Sequence, residues 1–272
     1  MSYSGQLVAK MQSAYERFKK KVSDDEHQQL LALLKKVHSQ AASSLDGKQG
    51  PLDAAEVAHC FSLLGLADKD LHTFAKDRET VVRPDGTLLG VQKWELLDPN
   101  WAESLIAWME HIDKRAPFAE TPYTGVIPDK ATIAICGDWG TGWEPWGEDQ
   151  APSAKIARLI AADQPDITVH LGDVYYSGSQ QEEQILKSFP QGSKGSFTLN
   201  SNHEMYSGAI PYFSALENWF PQQNGTSYFS LQNSHWLIIG LDSAYDSDKW
   251  DLYMQGNLNQ IQLDWLHSLP KD

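Results

Sequence analysis

The second half of this 272-residue chain predicts an α/β fold, and an all-helical region precedes it. Three observations carry that reading. Apolar, strand-like runs at 132–136, 167–171 and 196–199 each end in a short polar segment. An amphipathic segment at 152–163 separates the first two runs, so they form a β-α-β unit and should pair in parallel. The first 115 residues show apolar stripes at helical spacing instead.

The helical region comes first. Leu7, Val8, Met11, Tyr15 and Phe18 form one apolar stripe. Ser23 with Glu26 has the form of a capping box before Leu30, Leu31, Leu33, Leu34 and Val37. Asp53 and Glu56 repeat that pattern before Val57, Phe61 and Leu64. Trp101, Leu105, Trp108 and Ile112 make a further stripe. Gly50, Leu52 and Glu56 also occupy the sixth, eighth and twelfth positions of a calcium-loop frame, and Gly86 with Leu88 repeats the first two of these. Leu45, Gly47 and Gln49 stand where the first loop should carry acids, and Val81, Arg83 and Gln92 do so in the second, so calcium is not expected. The region 1–115 thus reads as an ordinary helical domain or as a degenerate pair resembling EF-hands. It is also a candidate surface for a protein partner.

Pro117, Pro122 and Pro128 interrupt residues 116–130, which show no sustained period and read as a linker. From 131 to 272 the chain alternates. After the β-α-β unit, 226–232 and 235–241 read as two strands around a turn at Asn233-Ser234. A helix at roughly 257–269 carries Leu258, Ile261, Leu263, Trp265 and Leu266.

Composition narrows the partners. The formal charge is −14. Residues 1–125 carry 15 Lys and Arg against 18 Asp and Glu, whereas residues 126–272 carry 7 against 18. Nucleic-acid partners want a basic face, so none is expected. A surplus of carboxylates suits solubility, and it also suits bound cations. Two cysteines, Cys60 and Cys136, exclude a disulfide scaffold. No run approaches the ~18 apolar residues of a membrane span, and the start MSYSGQLVAKMQ lacks an apolar signal segment. A cytoplasmic protein without membrane contact is the expectation.

The chemistry gathers at the strand ends. The first run leads into Gly137-Asp138-Trp139-Gly140, the second into Gly172-Asp173-Val174-Tyr175-Tyr176, the third into Asn200-Ser201-Asn202-His203-Glu204. Open α/β sheets bind ligands at the carboxyl ends of their strands. Asp138 and Asp173 follow glycines across one β-α-β unit, so parallel pairing should bring both carboxylates to one rim. Two close carboxylates repel unless one protonates or a cation joins them. Asn202 adds a neutral oxygen. His203 is a candidate ligand or proton donor, and Glu204 a candidate to orient it. His170, His235 and His267 read as structural, and Tyr175 as a packing residue.

The motifs Gly137-Asp138, Gly172-Asp173 and Asn202-His203-Glu204 resemble the first three motifs of the calcineurin-like metallophosphoesterases over roughly residues 130–269. The resemblance implies a sandwich of two mixed sheets flanked by helices. It also implies a hydrolase of phosphate esters, acting on a small molecule or a phosphoprotein through a hydroxide that bridges two metal ions. Carried over by motif, Asp173 would bridge the metals, Asp138 would bind the first and Asn202 the second. His203 would contact the phosphate or protonate the leaving group.

Gly140 stands where most of that family has a histidine. The purple acid phosphatase branch also lacks this histidine and supplies a tyrosine three residues after the second aspartate, here Tyr176. That match implies Fe3+ bound by tyrosinate beside divalent zinc, manganese or iron. The third motif carries Ser201 where glycine is usual. The family's later histidines, including Gly-His-x-His, have no counterpart among the nine histidines of this chain. The expectation is a domain incomplete at its carboxyl end, with the aspartate half of the site and little catalysis. The alternative is a catalytically silent binding protein on the same fold.

Overall fold

A computed structural model describes residues 13–29, 32, 81–82, 88–89, 100–139 and 151–270. The chain divides into two units, Met1–Glu110 and His111–Asp272.

In the first unit, residues 13–19 and 24–29 are helical. The Ser23–Glu26 box forms as expected: Ser23 N donates to Glu26 Oε2 at 2.9 Å, and Glu26 N donates to Ser23 Oγ at 3.3 Å. Phe18 is buried and stacks on Trp108 with ring centroids 5.9 Å apart. Trp108 lies on helix α1 (Asn100–His111), where Leu105 and Met109 are also buried. The region is not all-helical. Strands β1 (Val81–Val82) and β2 (Leu88–Leu89) pair antiparallel, Val81 opposite Leu89. Val81 and Val82 are β-branched, which favours a strand over a helix. The stripe at Leu30–Val37, the cap at Asp53, the first calcium-loop frame and most of the second lie outside the described residues.

The second unit holds two three-stranded sheets. Strands β4 (Ile133–Cys136), β5 (Ile167–His170) and β6 (Gly195–Thr198) form a purely parallel sheet in the order β4-β5-β6. Helix α2 (Pro152–Ala162) makes the expected crossover between the first two. The other sheet has the order β3-β7-β8. Its β3 (Tyr123–Val126) runs parallel to β7 (Phe229–Gln232), which runs antiparallel to β8 (Leu237–Gly240). One sheet is therefore mixed and the other is not. Strand β3 lies within the segment expected as a linker. Four residues between two prolines are too few to show a period, yet strand ends tolerate proline.

The sheets pack through one apolar core of Ile127, Ile167, Val169, Phe197, Phe229 and Leu231. Phe197 and Phe229 meet across it at 4.8 Å. The outward face of β5 and β6 buries hydroxyls and an imidazole instead: Thr168 bonds Ser196 at 3.0 Å, and His170 Nδ1 meets Thr198 Oγ1 at 3.1 Å. Burial lowers the His170 pKa to about 4, which fits its structural role.

The free side of β6 is closed by glutamines. Gln222 Oε1 accepts from Ser196 N at 2.9 Å. Gln223 Oε1 accepts from Thr198 N at 2.7 Å, while its Nε2 donates to Thr198 O and Thr226 O, both at 2.8 Å. The opposite border is different. Ile135 on β4 shares the core face with Val169 in register, yet it is 60% exposed. Helices α3 (Asn202–Tyr206) and α4 (Ile210–Trp219) follow β6, and α5 (Gln260–Ser268) matches the predicted C-terminal helix.

Candidate metal centre

Register builds the site. Cys136 pairs with His170, and His170 with Thr198, so three parallel strands end side by side. The chain then turns sharply. Asp138 has φ 50°, Gly172 φ 88° and Asp173 φ 64°. Gly172 is required twice over, because a Cβ there would also meet Ser201 Cβ at 2.9 Å. These turns bring the carboxylates of Asp138 and Asp173 together, as expected from the two Gly-Asp motifs. Burial is the main cause raising the Asp173 carboxyl above its ordinary range. His203 and a bond to Ser201 pull it down, and the Asp138 charge pushes it up. One oxygen of Asp173, Oδ1, is buried with no hydrogen-bond partner.

The third strand end becomes helix α3, capped by Ser201, whose Oγ accepts from His203 N at 3.1 Å. His203 is 6% exposed. Its Nδ1 lies 2.8 Å from the Tyr176 carbonyl oxygen, which can only accept, so the proton sits on Nδ1 in the neutral ring. Asn202 takes other neighbours: its Nδ2 donates to Tyr206 Oη at 3.4 Å and meets Met254 Sδ at 3.6 Å.

Three residues play parts that the sequence did not reveal. The hydroxyl that donates to Asp138 Oδ1 is that of Tyr175, and its ring stands edge-on to His203 at 4.6 Å. Tyr175 is therefore a site residue as well as a packing one. Tyr176 meets the site through its backbone: the carbonyl faces His203, and Glu182 Oε1 accepts from its N–H at 2.6 Å. Glu204 was a candidate to orient His203. Its carboxylate turns instead to Ser201 Oγ, to Asp173 N at 3.3 Å and to Val174 N at 3.0 Å. Ser201-x-x-Glu204 is itself a capping-box pattern, and this was the signal available to find both residues.

The donors fit a hard cation. Two adjoining carboxylates and an orphaned, buried oxygen on Asp173 match what oxygen-seeking ions require. Among the described residues, no three His, Cys, Asp or Glu side chains converge as a metal cluster. What the described residues bring together is the aspartate pair, with the Tyr175 hydroxyl on Asp138. No helix among the described residues is long and apolar enough to cross a membrane.

No curated protein and no solved structure matches the chain. A family model described as calcineurin-like phosphoesterase matches residues 131–271, more than half of the sequence and the whole stretch that carries the site. With the two Gly-Asp turns, the Asn-His-Glu helix start and the paired sheets in place, the chain belongs to the calcineurin-like phosphoesterase family.

Proposed function

We propose that the second unit hydrolyses phosphate esters, of a small molecule or a phosphoprotein, with the help of bound metal ions. The observation that carries this reading is the juxtaposition of Asp138 and Asp173 at adjacent parallel strand ends, with Asp173 Oδ1 buried and without a hydrogen-bond partner. Asp138, Asp173 and Asn202 would hold the metal. A bound metal lowers the pKa of water and neutralises charge that develops on the phosphate.

The remaining groups act on the substrate and on the ligands. His203 keeps the Nδ1 proton on the Tyr176 carbonyl, so Nε2 is the atom that would give a proton to the leaving oxygen, which it can do only when the ring carries a second proton there. Tyr175 fixes the orientation of the Asp138 carboxylate. Tyr176 by motif position, and Tyr175 by its hydroxyl, are the candidates for a phenolate ligand to iron.

The test is hydrolysis of an aryl phosphate by metal-stripped protein after addition of iron, manganese or zinc. Turnover should require metal, and Asp173→Asn should lower it by about 100-fold or more, at or beyond the upper end of what disturbing a metal ligand's partners costs. Tyr175→Phe and Tyr176→Phe assayed in the iron arm identify which phenol matters. Metal binding without turnover in any arm would favour the silent binding protein.

A further inference from the structure

The loop that carries Asp173 is moulded against the start of α3, and one carboxylate makes most of the attachment. Glu204 has no exposed surface. Its Oε1 accepts from Val174 N at 3.0 Å. Its Oε2 accepts from Asp173 N at 3.3 Å and from the Ser201 hydroxyl. Ser201 Oγ in turn accepts from Asp173 N at 3.0 Å and from His203 N at 3.1 Å. The far end of the loop returns to the same place: a Cβ on Gly178 would meet Glu204 Cα at 2.6 Å. A buried carboxylate is costly unless its lone pairs are used, and here they are used on the backbone of a ligand turn.

Resting on the metal-dependent reading above, we infer that Glu204 is a positioning residue. It fixes the left-handed Asp173 turn to the Ser201–His203 helix start, so that Asp173, Asn202 and His203 are held by one anchor. Partners that orient metal ligands are worth about 10–100-fold in metal affinity. A glutamine has nearly the same volume but only one acceptor oxygen. In either amide orientation its NH2 would face a backbone N–H, that of Val174 or that of Asp173. The turn would then relax while the fold keeps its packing.

The test is calorimetric titration of Mn2+ into metal-stripped wild type, Glu204→Gln, Ser201→Ala and Glu183→Gln, each first shown to be folded by circular dichroism. Glu183 is a buried neighbour of Glu204 that makes none of these contacts, so its variant controls for removing a buried carboxylate. Glu204→Gln should bind Mn2+ about 10–100-fold more weakly than wild type, with Ser201→Ala reduced in the same direction and Glu183→Gln unchanged. In aryl phosphate hydrolysis, kcat should fall in Glu204→Gln with KM little altered. Wild-type affinity in a folded Glu204→Gln would overturn the inference and leave the hydrolase reading standing. A wild type that binds no Mn2+, Zn2+ or iron would overturn both. Should Glu204→Gln fail to fold, Ser201→Ala decides, and undiminished affinity there rejects the anchoring role.

Discussion

Glu183 has no exposed surface, and neither of its carboxyl oxygens has a hydrogen-bond partner. Burial first, then the charges of Glu204 and Glu182, hold its pKa well above the usual range. In the unfolded chain it titrates near the ordinary value of about 4.3. The folded protein therefore keeps a proton that the unfolded chain releases, and stability falls as pH rises from about 4.3 towards the folded-state pKa. Glu183→Gln removes that slope. Its urea midpoint should exceed that of wild type at pH 7, by the equivalent of roughly 1 kcal/mol or more, and the two should converge near pH 4. A variant no more stable than wild type at pH 7 would contradict a protonated carboxyl at this position. At this scale the sequence pointed to Asp138, Asp173 and His203 as neighbours, because glycine-aspartate and asparagine-histidine pairs stand at the ends of strands that pair in parallel. It did not show Tyr175, because two adjacent tyrosines carry no sign of which hydroxyl turns inward. It did not show Glu183 either, since a glutamate in a polar stretch reads as solvated.

Strand β6 has β5 on one side and two glutamine side chains on the other, so its stability depends on amides from a short 3-10 turn, Pro221–Gln223. Gln223 is fully buried and satisfies Thr198 N, Thr198 O and Thr226 O. Gln223→Ala leaves Thr198 N and Thr226 O without this partner, while Thr198 O keeps the Tyr212 hydroxyl at 3.1 Å; the cost is ~1–3 kcal/mol for each group that water cannot reach. A fall of about 2–4 kcal/mol in unfolding free energy is expected by urea denaturation. A loss below about 0.5 kcal/mol would mean that water or backbone replaces the amide. The elements themselves were unevenly legible. Strands β4, β5 and β6, the α2 crossover and α5 stood out because apolar residues recur in each at strand or helix spacing. The hairpin strands were also visible, but drawn too long. Strand β3, the 3-10 turns and helices α3 and α4 were not read: they are short, or begin without a side-chain cap, and tertiary contacts rather than periodicity define them.

Charge and exposed apolar surface oppose each other across the whole molecule. The chain carries a formal charge of −14, which repels other copies at low salt. Against this, Ile135 is 60%, Trp236 70% and Val126 90% exposed. An edge strand that shows a core-face isoleucine is a site for association. Added salt shortens the screening length from about 10 Å at 0.1 M to about 3 Å at 1 M and leaves hydrophobic attraction in place. The mass measured by light scattering should therefore rise between about 0.05 and 1 M NaCl, over which the screening length falls roughly fourfold. Ile135→Glu should suppress the rise. A mass independent of salt in wild type would show that this edge is covered in solution.

The glutamine closure of β6 also gives the parallel sheet a direction of growth. Any polypeptide seeking to extend it beyond β6 would have to displace the Gln222 and Gln223 amides from Ser196 and Thr198. Beyond β4, no described strand stands in the way. Engineered fusions meant to lengthen this sheet therefore belong beside Ile133–Cys136. A graft at Gly195–Thr198 would begin by competing with the protein's own side chains.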